Sequence, residues 1–425
     1  MSITTVQPRP PAPTPRGPNT AWHPLQLLTA FASLRLTVLL FVLSFLLVLF
    51  GTLAQIDFGI WTVVRDYFRS FVVFIPFNLF LQFGQIFLGL PREWSPGTPW
   101  RIGGAFPFPG GWTLAILLMA NLLAAHLVRF KLSAKRAGIL ILHAGLIVML
   151  TGEIVTGVYA VEGNMAIEEG ETVNVVVDNR VCELAIVDPS DDNTDRVISV
   201  PRWMLQRQAV PIRDEQLPFD IVPVHYMSNS ALDNAAKTNP ANAGAGKESV
   251  AVEKAEGSGV ASNQKADAPS VYVKLIDKTT GKEMGTYLFS LWLREQEIKV
   301  GDKFYEVSLR FRQTQRPFNL TLKKFTFDRY PGTETPLNFA SLVHLKDTAR
   351  GDDREVLIRM NEPLRHAGET FYQASWNERT ERGTILQVVR NPAWQLPYWS
   401  CGIVTLGMLM HFMVSLVDFL KKRGA

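Results

Sequence analysis

The sequence predicts a membrane α + β protein, with four transmembrane helices and a large antiparallel β-rich extracytoplasmic domain inserted between the third and the fourth. Three observations predict this class. Hydrophobic residues make up 47% of the 425 residues and charged residues 19%, a balance shifted toward membrane proteins. Four apolar windows approach the roughly 20 residues that a membrane-spanning helix requires. Between the third and fourth windows, many short segments alternate apolar and polar residues, as antiparallel strands do.

The composition also excludes several functional classes. A mean hydropathy of +0.08 is too low for a fully polytopic transporter. The charged fraction is too small for a soluble basic DNA-binding protein, so no nucleic-acid partner is expected. Two cysteines cannot supply a disulfide framework, a tetrathiolate metal site or a CxxC redox pair. Because the sequence also contains no glycine-rich phosphate loop, HExxH, nucleophile elbow or CxxCH motif, no catalytic residue is predicted.

The N-terminal segment, residues 1–31, is predicted to be a disordered cytoplasmic tail. Its first 20 residues are rich in proline, contain no acidic residue and lack the apolar core of a signal peptide. The first span is predicted over residues 32–54, where the run from Leu36 to Ala54 carries no charge.

Residues 55–111 are predicted to form an extracytoplasmic loop that contains an interfacial helix over 71–90. That stretch is apolar, but Pro76 interrupts it, and one helical face would be polar. The polar side chains on that face are Asn78, Gln82 and Gln85. A helix lying in the outer interface is therefore favoured over a fifth span, which would invert the topology of everything that follows.

The second and third spans are predicted over residues 112–128 and 137–160, joined by a basic cytoplasmic loop over 129–136. The fourth span is predicted over 397–420 and ends in a basic tail, 421–425. With the N-terminus in the cytoplasm, every basic segment lies on the cytoplasmic side, as the positive-inside rule requires. We therefore expect a bacterial inner-membrane protein with both termini in the cytoplasm.

Residues 161–396 are predicted to form the extracytoplasmic β-rich domain. The segments in this block are short and alternate at period 2, which favours an antiparallel sandwich or barrel-like domain. Residues 228–269 differ, being rich in Ala, Asn, Gly, Lys and Ser with few apolar side chains. This segment is predicted to be a flexible insertion, because it buries too little surface to offset the cost of ordering.

Histidines inside the predicted spans are the strongest candidates for a site, because a polar imidazole is costly in lipid and usually has a function there. They are His126, His143 and His411, all in the cytoplasmic half. The third span also carries a seam of small residues where another helix could pack, namely Gly138, Gly145 and Gly152.

His143 lies two residues from Gly145, about 200° around the helix, so it is predicted to face away from the seam toward lipid or a second subunit. Such an imidazole can be an axial ligand of haem iron. His411 and His126 are possible further ligands. A hydrogen bond to a carbonyl or serine of a neighbouring span is the alternative for these histidines, and the side chain of His126 could instead simply reach the membrane interface.

Three other residues have a structural interpretation. Cys182 alternates into a strand and is predicted to be a small buried hydrophobe, and Cys401 is predicted to pack near the outer end of the last span. Glu153 is predicted to bond within the bundle, with an arginine of a partner protein as the alternative.

Several blocks of this sequence resemble the ResB (also called CcsB) family of System II cytochrome c biogenesis. The resemblance covers both ends of the chain and is weak from about residue 175 to 300. The blocks that carry it are GTLAQIDFGIWTVVRDYFRSF, FPGGWTLAILLMANLLAAHLVRF, GILILHAGLIVMLTG, MNEPLRHAGETFYQASW and TILQVVRNPAWQLPYWSCGIVTLGMLMHF.

The resemblance implies a haem-handling membrane subunit that works with a CcsA-type (ResC) partner. Such a pair carries haem b outward transiently and joins it to the thiols of a CxxCH apocytochrome c, and thiol-reducing proteins are possible further partners. His143 matches the transmembrane haem ligand of the family. The tryptophan-rich haem site of the partner is absent from this chain, so it resembles a non-autonomous half of a cytochrome c synthase.

Two functions from other classes are also compatible with the sequence. The chain could be a haem-free, membrane-anchored periplasmic scaffold or binding protein, whose spans serve only as anchors. It could also be an ion or proton pathway, although a single acid deep in a span makes a continuous relay a poor fit.

Overall fold

The computed structural model describes residues 24–91, 93–95, 98–99, 102–129, 133–191, 194–234, 239–257, 267–333, 336–377 and 379–424. Within these ranges, a group of long apolar helices is followed by a large β region that lies between the third and fourth of them. Most of the predicted N-terminal tail lies outside the described residues. Its last part was predicted wrongly, because residues 24–31 form a helix.

Among the residues that the structure describes, four helices are long and apolar enough to cross a membrane, which agrees with the predicted number. They are α2 (Leu34–Phe58), α5 (Gly111–Val128), α6 (Ala137–Tyr159) and α8 (Leu396–Arg423). Shorter helices are α1 (Pro24–Phe31), α3 (Ile60–Val63) with a π-helical continuation (Val64–Phe68), α4 (Asn78–Phe87), α7 (Arg202–Leu205) and the 3₁₀ turns Ala134–Arg136 and Gly244–Lys247.

The four long helices form two pairs. α6 packs tightly against α8, whereas α2 packs against α5, and α5 contacts α6 less extensively. The α6–α8 contact is the predicted glycine seam. A Cβ atom added at Gly138 would lie 2.5 Å from the backbone nitrogen of His411, and the hydroxyl of Ser400 donates a hydrogen bond of 2.8 Å to the carbonyl of Gly145. Small residues thus let the two backbones approach closely.

A buried asparagine connects α5 to the N-terminal helices. Asn121 is 3% exposed, its side-chain oxygen accepts a 2.7 Å hydrogen bond from Thr37, and its amide donates a 2.5 Å hydrogen bond to the carbonyl of Phe31. The carbonyl groups left open at the end of α1 are therefore bonded inside the apolar bundle, where an unpaired one is costly.

The predicted interfacial helix over 71–90 is wrong in its first half. Residues Val72–Pro76 form strand β1, which pairs antiparallel with β4 (Ala105–Pro109), and helix α4 begins only at Asn78. β-branched and aromatic residues favour the strand, whose Val73 and Ile75 are buried, and Pro76 disfavours a continuous helix. A small hairpin, β2 (Glu93–Ser95) and β3 (Thr98–Pro99), lies between α4 and β4.

Among the described residues, the β region contains a ten-stranded sheet, a three-stranded sheet and a two-stranded hairpin, and the strands in each pair antiparallel, as predicted. Its strands are β5 (Val161–Glu168), β6 (Thr172–Asp188), β7 (Arg196–Pro201), β8 (Phe219–Met227), β9 (Ser230–Asn234), β10 (Ser249–Glu253), β11 (Ser270–Asp277), β12 (Glu283–Ser290), β13 (Gln296–Val300), β14 (Lys303–Arg329), β15 (Pro336–Asp347), β16 (Asp352–Arg359), β17 (Leu364–His366), β18 (Glu369–Trp376) and β19 (Gly383–Arg390). The long strand β14 pairs with β6 and β15, and so connects the two halves of the large sheet.

The segment predicted as a flexible insertion, 228–269, is partly ordered. Strands β9 and β10 form a hairpin within it, and Asn242 accepts a 2.7 Å hydrogen bond from the backbone of Thr286. The prediction failed here because the few apolar residues of this segment do find packing partners: Leu232, Ala241 and Ala251 pack with Tyr272 and Leu288. The backbone N–H groups of Asn242 and Ala243 also donate hydrogen bonds to the carbonyl of Thr286. Residues 235–238 and 258–266 of the insertion lie outside the described residues.

Candidate functional site

Two of the three intramembrane histidines meet where α5 and α6 contact each other. The Nδ1 atom of His143 lies 3.1 Å from the Nε2 atom of His126, and the two rings are nearly perpendicular at 86°. The prediction that His143 faces away from the glycine seam is confirmed. The expectation that it faces only lipid or a second subunit is wrong, because one ring nitrogen contacts a neighbouring helix.

The hydrogen bonds around the pair determine which nitrogens carry protons when both rings are neutral. Nδ1 of His126 lies 2.7 Å from the carbonyl of Leu122. A carbonyl only accepts, so this nitrogen must carry a proton, and Nε2 of His126 is left as an acceptor. Nδ1 of His143 then donates to it. The remaining nitrogen, Nε2 of His143, is left with a lone pair.

Nε2 of His143 makes no hydrogen bond with any residue that the structure describes, and the side chain is half-buried. A neutral imidazole with one N–H bonded to a partner and the other nitrogen available is the usual state of a histidine that binds a metal. The arrangement therefore offers one oriented ligand atom in an apolar setting.

This donor set fits haem iron better than a protein-only metal site. Among the described residues, no group of three or more His, Cys, Asp or Glu side chains could hold a metal ion. Haem needs only one side chain on each face of its ring. His126 and His143 cannot be those two ligands, since rings bonded directly to each other leave no room for a porphyrin between them.

His411, the third histidine, is not part of this pair. It lies on α8 against Gly138, on the seam side of α6, and its Nδ1 atom is buried with no hydrogen-bond partner in the described part of the chain. The structure therefore separates His411 from the face of α6 that carries His143.

The cysteines differ in exposure. Cys182 is fully buried in the β region, as predicted, and burial raises the pKa of its thiol to about 12. The thiol is therefore protonated at neutral pH and a poor nucleophile. Cys401 is exposed on α8, so the prediction that it packs is wrong within this chain.

Contacts between the helices and the β region were missed by the sequence interpretation. The guanidinium of Arg180 stacks 3.4 Å from the ring centre of Trp61, beside a cavity of about 400 Å³ that is also lined by Arg202. In addition, Thr156 of α6 hydrogen-bonds Asn391 just before α8. Sequence spacing carries no signal for contacts between residues so far apart in the chain.

Comparison with known proteins gives matches to one family. A model described as the ResB-like family matches residues 123–192 and 279–385. Protein NrfI of Wolinella succinogenes is 32% identical over 124 residues, which are 29% of this chain and 13% of that protein. Cytochrome c biogenesis protein CcsB from two Synechococcus strains, CC9605 and CC9902, is 38% identical over 78 residues and 34% over 90 residues.

These alignments are short relative to the relatives themselves. They cover 18% and 21% of this chain for the two CcsB proteins, and 17% and 20% of those proteins. The family model nevertheless includes the histidine pair of α5 and α6 and a large part of the β region. Over these residues the chain is similar to the ResB-like family.

Proposed function

We propose that this chain is a subunit of a System II cytochrome c biogenesis complex, which supports haem transfer across the membrane and covalent attachment of haem to CxxCH apocytochrome c. The observation that carries the proposal is the hydrogen-bond chain from the Leu122 carbonyl through His126 to His143. It leaves Nε2 of His143 as an oriented ligand atom. The names of the CcsB relatives support the same role in cytochrome c biogenesis.

In this proposal His143 is one axial ligand of haem b, and His126 is its positioning residue. Bound haem would supply an iron that binds imidazole nitrogens, and Nε2 of His143 would be one of them. The second ligand comes from a CcsA-type partner, because His126 is bonded to His143 itself and His411 lies on the other side of α6. No catalytic residue is assigned to this chain, and thiol reduction of the apocytochrome is left to other proteins.

The distribution of basic residues supports an orientation in the bacterial inner membrane. Arg129, Lys135 and Arg136 lie between α5 and α6, and Lys421 to Arg423 end α8. By the positive-inside rule these ends are cytoplasmic. The histidine pair then lies near the cytoplasmic side, and the β region is periplasmic, where it receives the apocytochrome or supports the haem site of the partner.

The proposal is tested by purifying the chain, alone and with its CcsA-type partner, and recording haem spectra. We expect the His143→Ala variant to lose most of the haem that the wild-type complex carries. The control is His225→Ala, which removes a half-exposed histidine of the β region. Equal haem in wild type and His143→Ala would overturn the ligand assignment.

One observation favours the alternative, a haem-free membrane-anchored scaffold. Both histidines of the pair are already hydrogen-bonded within the chain, so the pair could serve only to join α5 to α6. This alternative predicts that alanine at either position lowers stability without changing the haem content of the complex, and the spectra above separate the two functions.

A further inference from the structure

One side of α6 carries an exposed stripe with a single acid in it. Leu146 and Met149 are 40% and 37% exposed, and Glu153 is also exposed. Spacings of three and four residues place them on one helical face. That face lies between the seam packed against α8 and the side that contacts α5.

Glu153 differs from the other acids of the four long helices. Asp57 accepts a hydrogen bond from Gln82, and Asp418 pairs with Lys135 at 3.1 Å. Glu153 makes neither a hydrogen bond nor an ion pair with any residue in the described ranges. The prediction that it bonds within the bundle is therefore not met.

The position of Glu153 places its carboxylate within the apolar length of α6. It lies six residues before the end of α6 at Tyr159, so it is about 9 Å inside that end of the helix at the rise of an α-helix. A carboxylate exposed to hydrocarbon is costly, and such acids almost always face a cation, a hydrogen-bond donor or a water-filled cavity.

A second copy of this chain offers no cation at that depth. In the four long helices, every Lys and Arg lies at a helix end, in the first two residues of α2 or the last turn of α8. Arg69 approaches α6 one turn further out, with Nε 3.8 Å from where a Cβ atom of Gly157 would lie, yet it forms no ion pair with Glu153. Charge complementarity therefore favours a different polypeptide.

We propose that the stripe of Leu146, Met149 and Glu153 docks a membrane-spanning helix of a second polypeptide that carries an Arg or Lys about 9 Å inside the outer end of α6. The apolar side chains supply the packing surface, and the buried ion pair sets the depth of the partner helix. The stripe lies about 60 to 120° around α6 from His143, so a helix docked there borders the face on which the free Nε2 lies.

The identity of the second polypeptide rests on the proposed function, which makes it the CcsA-type subunit. The experiment co-expresses the full chain with an affinity-tagged CcsA-type subunit from the same genome and measures how much chain is recovered with the tag. We expect Glu153→Lys to lower recovery by at least about tenfold, because it places like charges together in a desolvated contact, and Glu153→Gln to lower it less.

The matched control is Ala144→Gln, which adds a polar side chain to an exposed position on another side of α6. Changing one Arg or Lys in the outer half of a partner span to Glu is expected to restore recovery of Glu153→Lys. Unchanged recovery of Glu153→Lys would overturn the proposal. The proposal would also be overturned if Arg69→Glu within this chain restored the recovery of Glu153→Lys. A disulfide crosslink between two copies of the Glu153→Cys variant would overturn it as well.

This experiment also separates the docking surface from the haem proposal. His143→Ala is expected to lose haem while keeping full recovery with the partner. If His143→Ala keeps its haem and Glu153→Lys loses the partner, the docking surface stands and the ligand assignment fails. If His143→Ala loses its haem and Glu153→Lys keeps the partner, the ligand assignment stands and the docking surface fails.

Discussion

At the scale of single residues, His126 is the group that orients His143. Its Nε2 atom accepts the Nδ1 proton of His143, and its own Nδ1 proton is held by the Leu122 carbonyl. Removing such a supporting hydrogen bond typically costs about 10- to 100-fold in metal affinity. A histidine that merely fills space between two helices would have no such effect on a bound iron.

The first prediction is that His126→Ala weakens haem binding by about 10- to 100-fold and changes the haem spectrum, without abolishing binding as His143→Ala does. His126→Gln is expected to recover most of the loss, because its amide oxygen can accept the same proton. Titration of the purified complex with haem measures both effects. Identical affinities for wild type and His126→Ala would show that the pair has no part in ligation.

A second residue-scale network lies in the β region. His366 is buried, with Nε2 2.8 Å from Asp347 and Nδ1 3.4 Å from Asp352, and Asp347 also pairs with Arg350. Burial acts to raise the pKa of Asp347, but the hydrogen bonds from His366 and Arg350 outweigh it and hold the pKa below its ordinary value of 3.8.

The second prediction follows from the sign of that shift. Because the pKa of Asp347 is lower in the folded state, its ionised form stabilises the fold above pH 3.8, and this stability is lost as the pH falls through the folded-state pKa. Thermal unfolding of the full chain in detergent from pH 6 to pH 3 should therefore show a steeper loss for wild type than for Asp347→Asn. Parallel curves for the two proteins would contradict this assignment.

At the scale of elements, the α6–α8 seam is the most extensive contact among the described helices. At Gly138 the nearest atoms are backbone atoms of α8, so the contact there cannot relax around an added group, whereas Gly152 faces the side chain of Leu396. The α5–α6 contact is less extensive and includes the histidine pair. The weaker contact is the one that borders the proposed ligand and docking faces.

The third prediction is that Gly138→Leu destabilises the helices by about 3 kcal/mol, as overpacking does, and disrupts the α6–α8 pair. A Cβ atom there would lie 2.5 Å from the backbone nitrogen of His411 and 2.8 Å from the carbonyl oxygen of Gly407. The matched control is Ala144→Leu, on an exposed side of the same helix. Thermal unfolding in detergent measures both, and equal stability of the two variants would show that the seam is not tightly packed.

The sequence could predict the four long helices and the antiparallel strands because each reflects a local pattern, an uncharged apolar run or an alternation. It could also place His143 opposite the seam, since both lie on one helix. The contact with His126 could not be predicted, because it depends on how α5 is rotated about its own axis. The prediction of a helix over 71–90 was wrong for a related reason. The apolar pattern there suits a helix or a strand, and the pairing of β1 with the distant β4 decides for the strand.

At the scale of the whole molecule, described residues of the β region contact the helices beyond the end of α2 and near the end of α6. Arg180 of the β region stacks on Trp61 just beyond α2, and Thr156 near the end of α6 bonds Asn391. These contacts leave the histidine pair at the far end of α6, 16 residues before Tyr159, or about 24 Å along the helix.

The fourth prediction concerns how the whole molecule sits in the membrane. Single cysteines at Ser133, between α5 and α6, and at Ser190, in the β region, occupy exposed positions at opposite ends of the helices. In a Cys401→Ala background, the buried Cys182 contributes little labelling, because its thiol is inaccessible and protonated. A membrane-impermeant maleimide applied to intact inner-membrane vesicles with the periplasmic face outward should label Ser190→Cys, and label Ser133→Cys only after detergent is added. The opposite pattern would place the β region in the cytoplasm and the histidine pair near the periplasm. It would reverse the direction of haem transfer that the basic residues at the ends of α5, α6 and α8 support.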